Sequence, residues 1–285
     1  MRQIIINADD LGADEARNEG IFDAVRAGIV TSVSILANGP ATEGALKTLR
    51  SMVSGGISFG FHMNLSEGKP LSANLKRLVG EDGCFLKKSS AQKLLLQADD
   101  PELDKEMGQE LVCQIESLLD HGLKITHLDG HQHVHVLPAV FPAALRIAQR
   151  YKIPWMRIPE EPVPLPGSES IPPWLREEGQ WFSSMARAAR LKLQGGAVDV
   201  PDHFRGLYLK GRFSPAVLLD LIETIPPGLT ELMVHPGRIS DRISSGPFSS
   251  FSTPDRLKEL ETLLDPAFLR GLRSRHIDSI PFQTV

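Results

Sequence analysis

The chain has 285 residues, 31 basic and 35 acidic side chains and a formal charge of −4, so it lacks the basic excess that binding a phosphate backbone requires. Nucleic acid is thereby excluded as the expected partner. Hydrophobic residues supply 41% and charged ones 23%, ordinary usage for a folded globular chain, and no uncharged apolar run approaches the roughly 20 residues of a membrane span.

In chain order, Ile4-Ile5-Ile6 reads as a short buried strand that stops at polar residues and Gly12. Its length and the acidic pair Asp9-Asp10 directly after it do not suit a signal-peptide core. Ile21, Phe22 and Val25 then recur at helical spacing, with Gly28 as the stop. Residues 29–36 are strand-like, 41–50 helical and 57–62 a strand. Cys84 and Cys113 are too few for a disulfide framework or a cysteine-based zinc site and suit a reducing, cytoplasmic setting. Asp100-Pro101 supplies an N-cap and a first helical residue, and the stripe Leu103, Met107, Leu111, Ile115 and Leu118 runs on to Gly122. A strand at 123–127, a helix from Pro138 to about Arg150, a strand at 153–158, a helix at 182–193 and a strand-like stretch at 197–200 follow. Ser214-Pro215 opens a helix, 230–234 is a strand, Thr253-Pro254 begins a helical stretch, and 277–282 is strand-like again.

Strands alternating with helices throughout imply βα units on a parallel sheet. Seven or eight strands over this length, with no G-x-G-x-x-G or P-loop after an early strand, predict a single-domain irregular (β/α) barrel over residues 1–285; an open doubly wound sheet is the alternative. Seven prolines between residues 154 and 173 mark an irregular excursion bordering a site.

Histidine is the unusual component: nine in all, five of them between His121 and His135. Polar groups stand where strand candidates end, at Asp9-Asp10, His62, the run from His127 to His135, and His235. In a parallel α/β fold those ends share one rim, so the groups should converge. Successive side chains of a regular strand alternate faces, but a turn at the strand end can aim both Asp9 and Asp10 at one centre. In the histidine run, His127 and His131 share a face if it is helical, and His131, His133 and His135 if it is extended; we expect a loop in which one histidine is a ligand and the others support it. A carboxylate with neutral imidazoles makes an open three-ligand metal site suited to amide or ester hydrolysis, with a second carboxylate as base and a histidine as acid. The same ligands would serve another metal-dependent sugar enzyme, such as an isomerase, aldolase or phosphoesterase, or a sugar-binding protein without turnover.

Asn7-Ala8-Asp9-Asp10-Leu11-Gly12, Gly60-Phe61-His62-Met63-Asn64-Leu65, residues 126–135 and Val234-His235-Pro236-Gly237 together resemble the YdjC-like carbohydrate deacetylases, from the first strand to the last helices. That family includes chitooligosaccharide deacetylases and a hopanoid-associated branch, and is similar in architecture to the NodB-type deacetylases. The resemblance implies Asp10, His62 and His131 as metal ligands, Asp9 as general base and His235 as general acid. It implies magnesium as the metal, although two imidazoles suit zinc or another late divalent ion better. It also nominates Asn64, His127, Asp129, His133, Arg157 and Asp202 for substrate contact. Arg157 through Pro162 and Asp202-His203-Phe204 look like the hopanoid-associated branch, so a glycosylated lipid stands beside N-acetylated chitooligosaccharides as a candidate substrate. A homodimer is expected from base rates alone.

Overall fold

The computed structural model describes residues 1–50, 52, 56–164, 170–193, 196, 198–239, 247–249 and 252–283. Strands β1 (Arg2–Leu11), β2 (Ser32–Ile35), β3 (Ser58–Met63), β4 (Ile125–Gly130), β5 (Trp155–Met156), β6 (His203–Arg205), β7 (Gly228–Val234) and β8 (Ile277–Ser279) form one sheet. Its order is β5-β4-β3-β2-β1-β7-β6, every pairing is parallel, and β8 joins the start of β1. Helices α1 (Glu15–Arg26), α2 (Thr42–Arg50), α3 (Lys88–Leu95), α4 (Pro101–Leu119), α5 (Phe141–Arg150), α6 (Pro173–Arg190), α7 (Pro215–Glu223), α8 (Pro254–Leu264) and α9 (Pro266–Ser274) complete the fold. None is long and apolar enough to cross a membrane.

The sheet curls into an incomplete barrel. In a flat sheet, β5 and β7 would lie five strand spacings apart, roughly 24 Å at about 4.8 Å per strand. Yet Arg157, next in the chain after β5, reaches Glu231 on β7 at 2.8 Å and Asp9 on β1 at 2.6 Å. A parallel bridge between Trp155 and Asp199 pairs β5 with the segment that leads into β6.

Strand alternation separates two environments. Ile4, Ile6, Ala8, Val33, Ile35, Phe59, Phe61, Leu128 and Leu232 join the apolar core with the helices. Their alternates carry the polar groups Asn7, Asp9, Ser32, Ser34, His62, His127, Asp129 and Glu231, all buried. These meet inside the curl: His127 Nε2 lies 3.1 Å from both Ser34 Oγ and Asn7 Oδ1, joining β4 to β2 and β1. Gly60 is needed on β3 because a Cβ there would overlap the His127 ring.

The expected barrel architecture is present, and α4 begins as anticipated, with Asp100 accepting from Leu103 N–H at 3.1 Å and Pro101 in the first turn. Three local expectations differ. Helix α3 was not anticipated, and α6 begins at Pro173 rather than near residue 182, so the end of the Pro-rich stretch becomes a helix start. Residues 165–169 of that stretch, and residue 197, lie outside the described residues. Among its described residues, the strand-like segment at 197–200 forms only the Asp199 bridge, and the strand is β6, three residues later.

Arg157 is fully buried among Asp9, Asp129 and Glu231. Replacing it by Met leaves three carboxylates without their cation, so Arg157→Met should lower unfolding stability by about 3–5 kcal/mol in a denaturant titration.

Candidate active site and metal centre

Asp9 follows the inward face of β1, where Asn7 Nδ2 donates to its Oδ1 at 2.7 Å. Asp10, next along, would point into the helices were the strand regular. Instead the register against β2 slips between Ala8 and Leu11, and Asp10 takes a left-handed backbone, φ 68°. This bulge turns both carboxylates into the barrel, and Asp is among the few residues that accept such a φ readily. Arg17, buried in the first turn of α1, donates to Asp10 Oδ2 at 3.1 Å. Asp10 Oδ1 is left facing two imidazoles, His62 Nε2 at 3.2 Å and His131 Nδ1 at 2.8 Å.

His62 comes from the end of β3, and its Nδ1–H donates to Asp129 Oδ1 at 2.7 Å. His131 opens a tight 3-10 turn, His131–Val136, in which Gln132 and His133 are both left-handed at φ 52° and 55°. The run is neither one helix nor one strand, and in place of the expected loop β4 continues through Gly130 and the 3-10 turn follows directly, which separates the histidines. Of the run, His131 alone reaches Asp10. His127 stays within β4, its burial pushing the imidazole down to about 3 and keeping it neutral. His135 Nε2–H donates to the Arg157 carbonyl at 3.0 Å, and His133 packs edge-on against Phe182, ring centroids 4.9 Å apart.

Ligand atoms of Asp10, His62 and His131 all lie within 4.8 Å of one another. Burial opposes charge at each of them, yet His131 and His62 hold the Asp10 carboxyl well below the usual carboxylate range. Burial likewise opposes a charge on His62, but Asp129 and Asp9 overcome it and push the imidazole up to about 10; His131 is raised by Asp10 and Glu67. The carboxylates thus demand positive charge at this point, and a divalent ion meets that demand as well as ring protons do. The donor set, one carboxylate oxygen and two imidazole nitrogens, fits such an ion. Asp9, His62 and Asp129 also lie within 4.8 Å of each other, but Arg157 already neutralises that pair of carboxylates.

Asp9 is clamped by Arg157, Nη1 to Oδ2 at 2.6 Å and Nη2 to Oδ1 at 2.7 Å. Burial and the Asp129 carboxylate push the Asp9 carboxyl up, while Arg157 pulls against them. Across the cleft, His235 Nε2 stands 3.9 Å from Asp9 Oδ2. Glu259 accepts the His235 backbone N–H at 2.7 Å, and its carboxylate lies 4.0 Å behind Nδ1. Burial and the Arg256 guanidinium hold the His235 imidazole well below its ordinary value. Asp9, Asp10, His62, His131 and His235 line one cavity of about 100 Å³, whose lining also includes the apolar Phe182, Leu207 and Met233 and the charged Lys88, Glu178 and Lys210.

Of the six residues nominated for substrate contact, His133 lines this cavity. Asp129 and Arg157 lie beneath the lining side chains, and His127 joins β4 to β1 and β2. Asn64 pins a turn, accepting from the Ser66 and Glu67 N–H groups. Asp202 belongs to the other end of the sheet, where it accepts from Leu229 N–H at 2.8 Å near the start of β7. Arg17, Glu67, Glu231 and Glu259 contact the site residues without having been anticipated, since nothing in their local sequence separates them from solvent-facing charges.

Residues 3–274 match the family model described as YdjC-like protein. A carbohydrate deacetylase of Geobacillus stearothermophilus is 33% identical, with 99% of this chain and 97% of that protein covered. Another, from Mus musculus, is 35% identical over 93% of this chain and 88% of its own length. Among solved structures, a candidate cellobiose-phosphate cleavage protein of Enterococcus faecalis superposes with a TM-score of 0.75 at 24% identity, covering 99% of this chain and 97% of that one, and so shares the fold. The matched span and the curated relatives place the chain in the YdjC-like family of carbohydrate deacetylases.

Proposed function

We propose that this chain is a metal-dependent deacetylase that hydrolyses the N-acetyl group of an N-acetylated sugar to a free amine and acetate. One observation carries the reading: a carboxylate outside the ligand triad, Asp9, and an imidazole, His235, face the same small cavity as Asp10, His62 and His131. Asp10, His62 and His131 would hold the ion, and their nitrogen-rich set favours zinc or another late divalent ion over magnesium. When bound, the ion supplies Lewis-acid polarisation of the acetamide carbonyl and a water nucleophile at neutral pH.

The remaining work falls to the chain. Asp9 takes the proton of the attacking water, its lone pairs aimed by the two Arg157 hydrogen bonds. Because His235 is held neutral, it becomes an acid only after gaining a proton, and Asp9 Oδ2, at 3.9 Å, is a nearby source. His235 then protonates the departing nitrogen as the carbon–nitrogen bond breaks. The apolar side chains in the lining, Phe182, Leu207 and Met233, suit the acetyl methyl or the body of a chitooligosaccharide or glycolipid.

Three outcomes test this reading. Chelation should abolish acetate release from N-acetylated chitooligosaccharides or acetylated glycosides, and Zn²⁺ or Co²⁺ should restore it. Asp9→Asn should keep the ion, measured by elemental analysis, while turnover falls about 10²–10⁴-fold; unchanged turnover would remove Asp9 as base. Since His62 is charged up to about pH 10 in the ion-free protein, uptake of the ion displaces its proton. Affinity should therefore tighten as pH rises from 6 to 8, by about tenfold per pH unit for each proton released, which calorimetry in buffers of different ionisation enthalpy would detect.

A further inference from the structure

We propose that Glu67 is a positioning residue that fixes His131 so that its Nδ1, rather than its Nε2, is the nitrogen offered to the ion. This rests on the metal centre proposed above and extends it to a residue outside the ligand set. His131 Nδ1 faces Asp10 Oδ1 at 2.8 Å, while its Nε2–H donates to Glu67 Oε2 at 3.1 Å. Each edge nitrogen of the ring thus has a partner, and rotation of the ring by half a turn would break both contacts. The Gln132 amide approaches the same Nε2 only at 3.5 Å.

Glu67 is itself held rigidly. Its backbone N–H donates to Asn64 Oδ1 at 3.1 Å, and its carbonyl accepts from Asn64 Nδ2 at 2.7 Å and Asn38 Nδ2 at 3.1 Å. Its second carboxylate oxygen accepts the Phe248 N–H at 2.7 Å, and the Phe248 ring meets His131 edge-on, centroids 5.6 Å apart. A carboxylate with its backbone and both oxygens engaged is a preorganised acceptor, the arrangement that sets the tautomer and basicity of a ligating imidazole.

His62 has the same device with the nitrogens exchanged: Nε2 towards Asp10 and Nδ1–H on Asp129. The two imidazoles would therefore meet the ion through different nitrogens, each backed by its own carboxylate. Asp129 is fully buried and shared with Arg157, whereas Glu67 is partly exposed and shared with the Phe248 backbone.

Titrating the chain with Co²⁺ alone tests this without any substrate. Wild type should bind the ion and show two paramagnetically shifted, exchangeable ring N–H signals by NMR, from His62 Nδ1 and His131 Nε2. Glu67→Ala should weaken Co²⁺ affinity about 10–100-fold and lose the His131 signal to solvent exchange while keeping that of His62. Glu67→Gln, whose single amide oxygen can still accept from His131 Nε2–H while its NH2 replaces the acceptor of the Phe248 N–H, should weaken Co²⁺ affinity less than the alanine variant does and keep the His131 signal at an altered shift. Wild-type affinity in Glu67→Ala, with both signals present, overturns the inference; so does an unmoved His131 signal in Glu67→Gln, which carries the test if the alanine variant does not fold. A wild-type chain that takes up no Co²⁺ overturns the metal centre itself, a result distinct from either of these.

Discussion

The barrel depends on Arg157. Three buried carboxylates from β1, β4 and β7 point to one place, and the guanidinium that follows β5 is the cation that reconciles them. Leaving a charge unpaired in such a site costs several kcal/mol, so the ion network ties edge strand to central strands more firmly than the two-residue pairing of β5 could. Closing the sheet and orienting Asp9 are consequently one act. The hydrogen bonds that pull β5 towards β7 are contiguous with those that hold the proposed base.

The interior of this curl departs from a barrel filled with branched apolar side chains. Here the apolar faces of the strands turn outward to the helices and the inward faces carry Asn, Asp, Ser, His and Glu, satisfied largely by one another. Such a network is costly if incomplete and rigid if complete. Its members differ in protonation for physical reasons: His127 is neutral because burial is weakly opposed, while His62 is charged because two carboxylates face it. One residue type thus serves as a neutral tie and, in the ion-free protein, as a cation within a single network.

The sequence was legible where local rules act alone. Helix α4 has a capping Asp, a first-turn Pro and an unbroken apolar stripe, and it lies where those signals put it. Asp9, Asp10, His62, His131 and His235 were visible because they end strand candidates and the topology brings those ends to one rim. By contrast, β6 is three residues on the sheet edge, too short for alternation to register, and α3 has no side-chain cap at Lys87. Asp202, nominated from a motif fragment, lies away from the cavity and ties the chain near the start of β7. Glu67 and Glu259 take their meaning from tertiary contacts with residues well separated in the chain, and Arg17 from the turn that folds the start of α1 back onto Asp10.

The bulge at Asp10 has a consequence for how such a pair can be written in a sequence. On an unbroken strand, two side chains reach the same face only when an odd number of residues separates them, one at the least. Adjacency works here because the chain spends one residue on the left-handed turn, so the Asp9-Asp10 doublet is a record of the bulge as much as of the chemistry. An Asp-x-Asp spelling on a regular strand would deliver two carboxylates to one centre without that turn. It would also remove the kink that carries the chain towards α1, and with it the approach of Arg17 to Asp10.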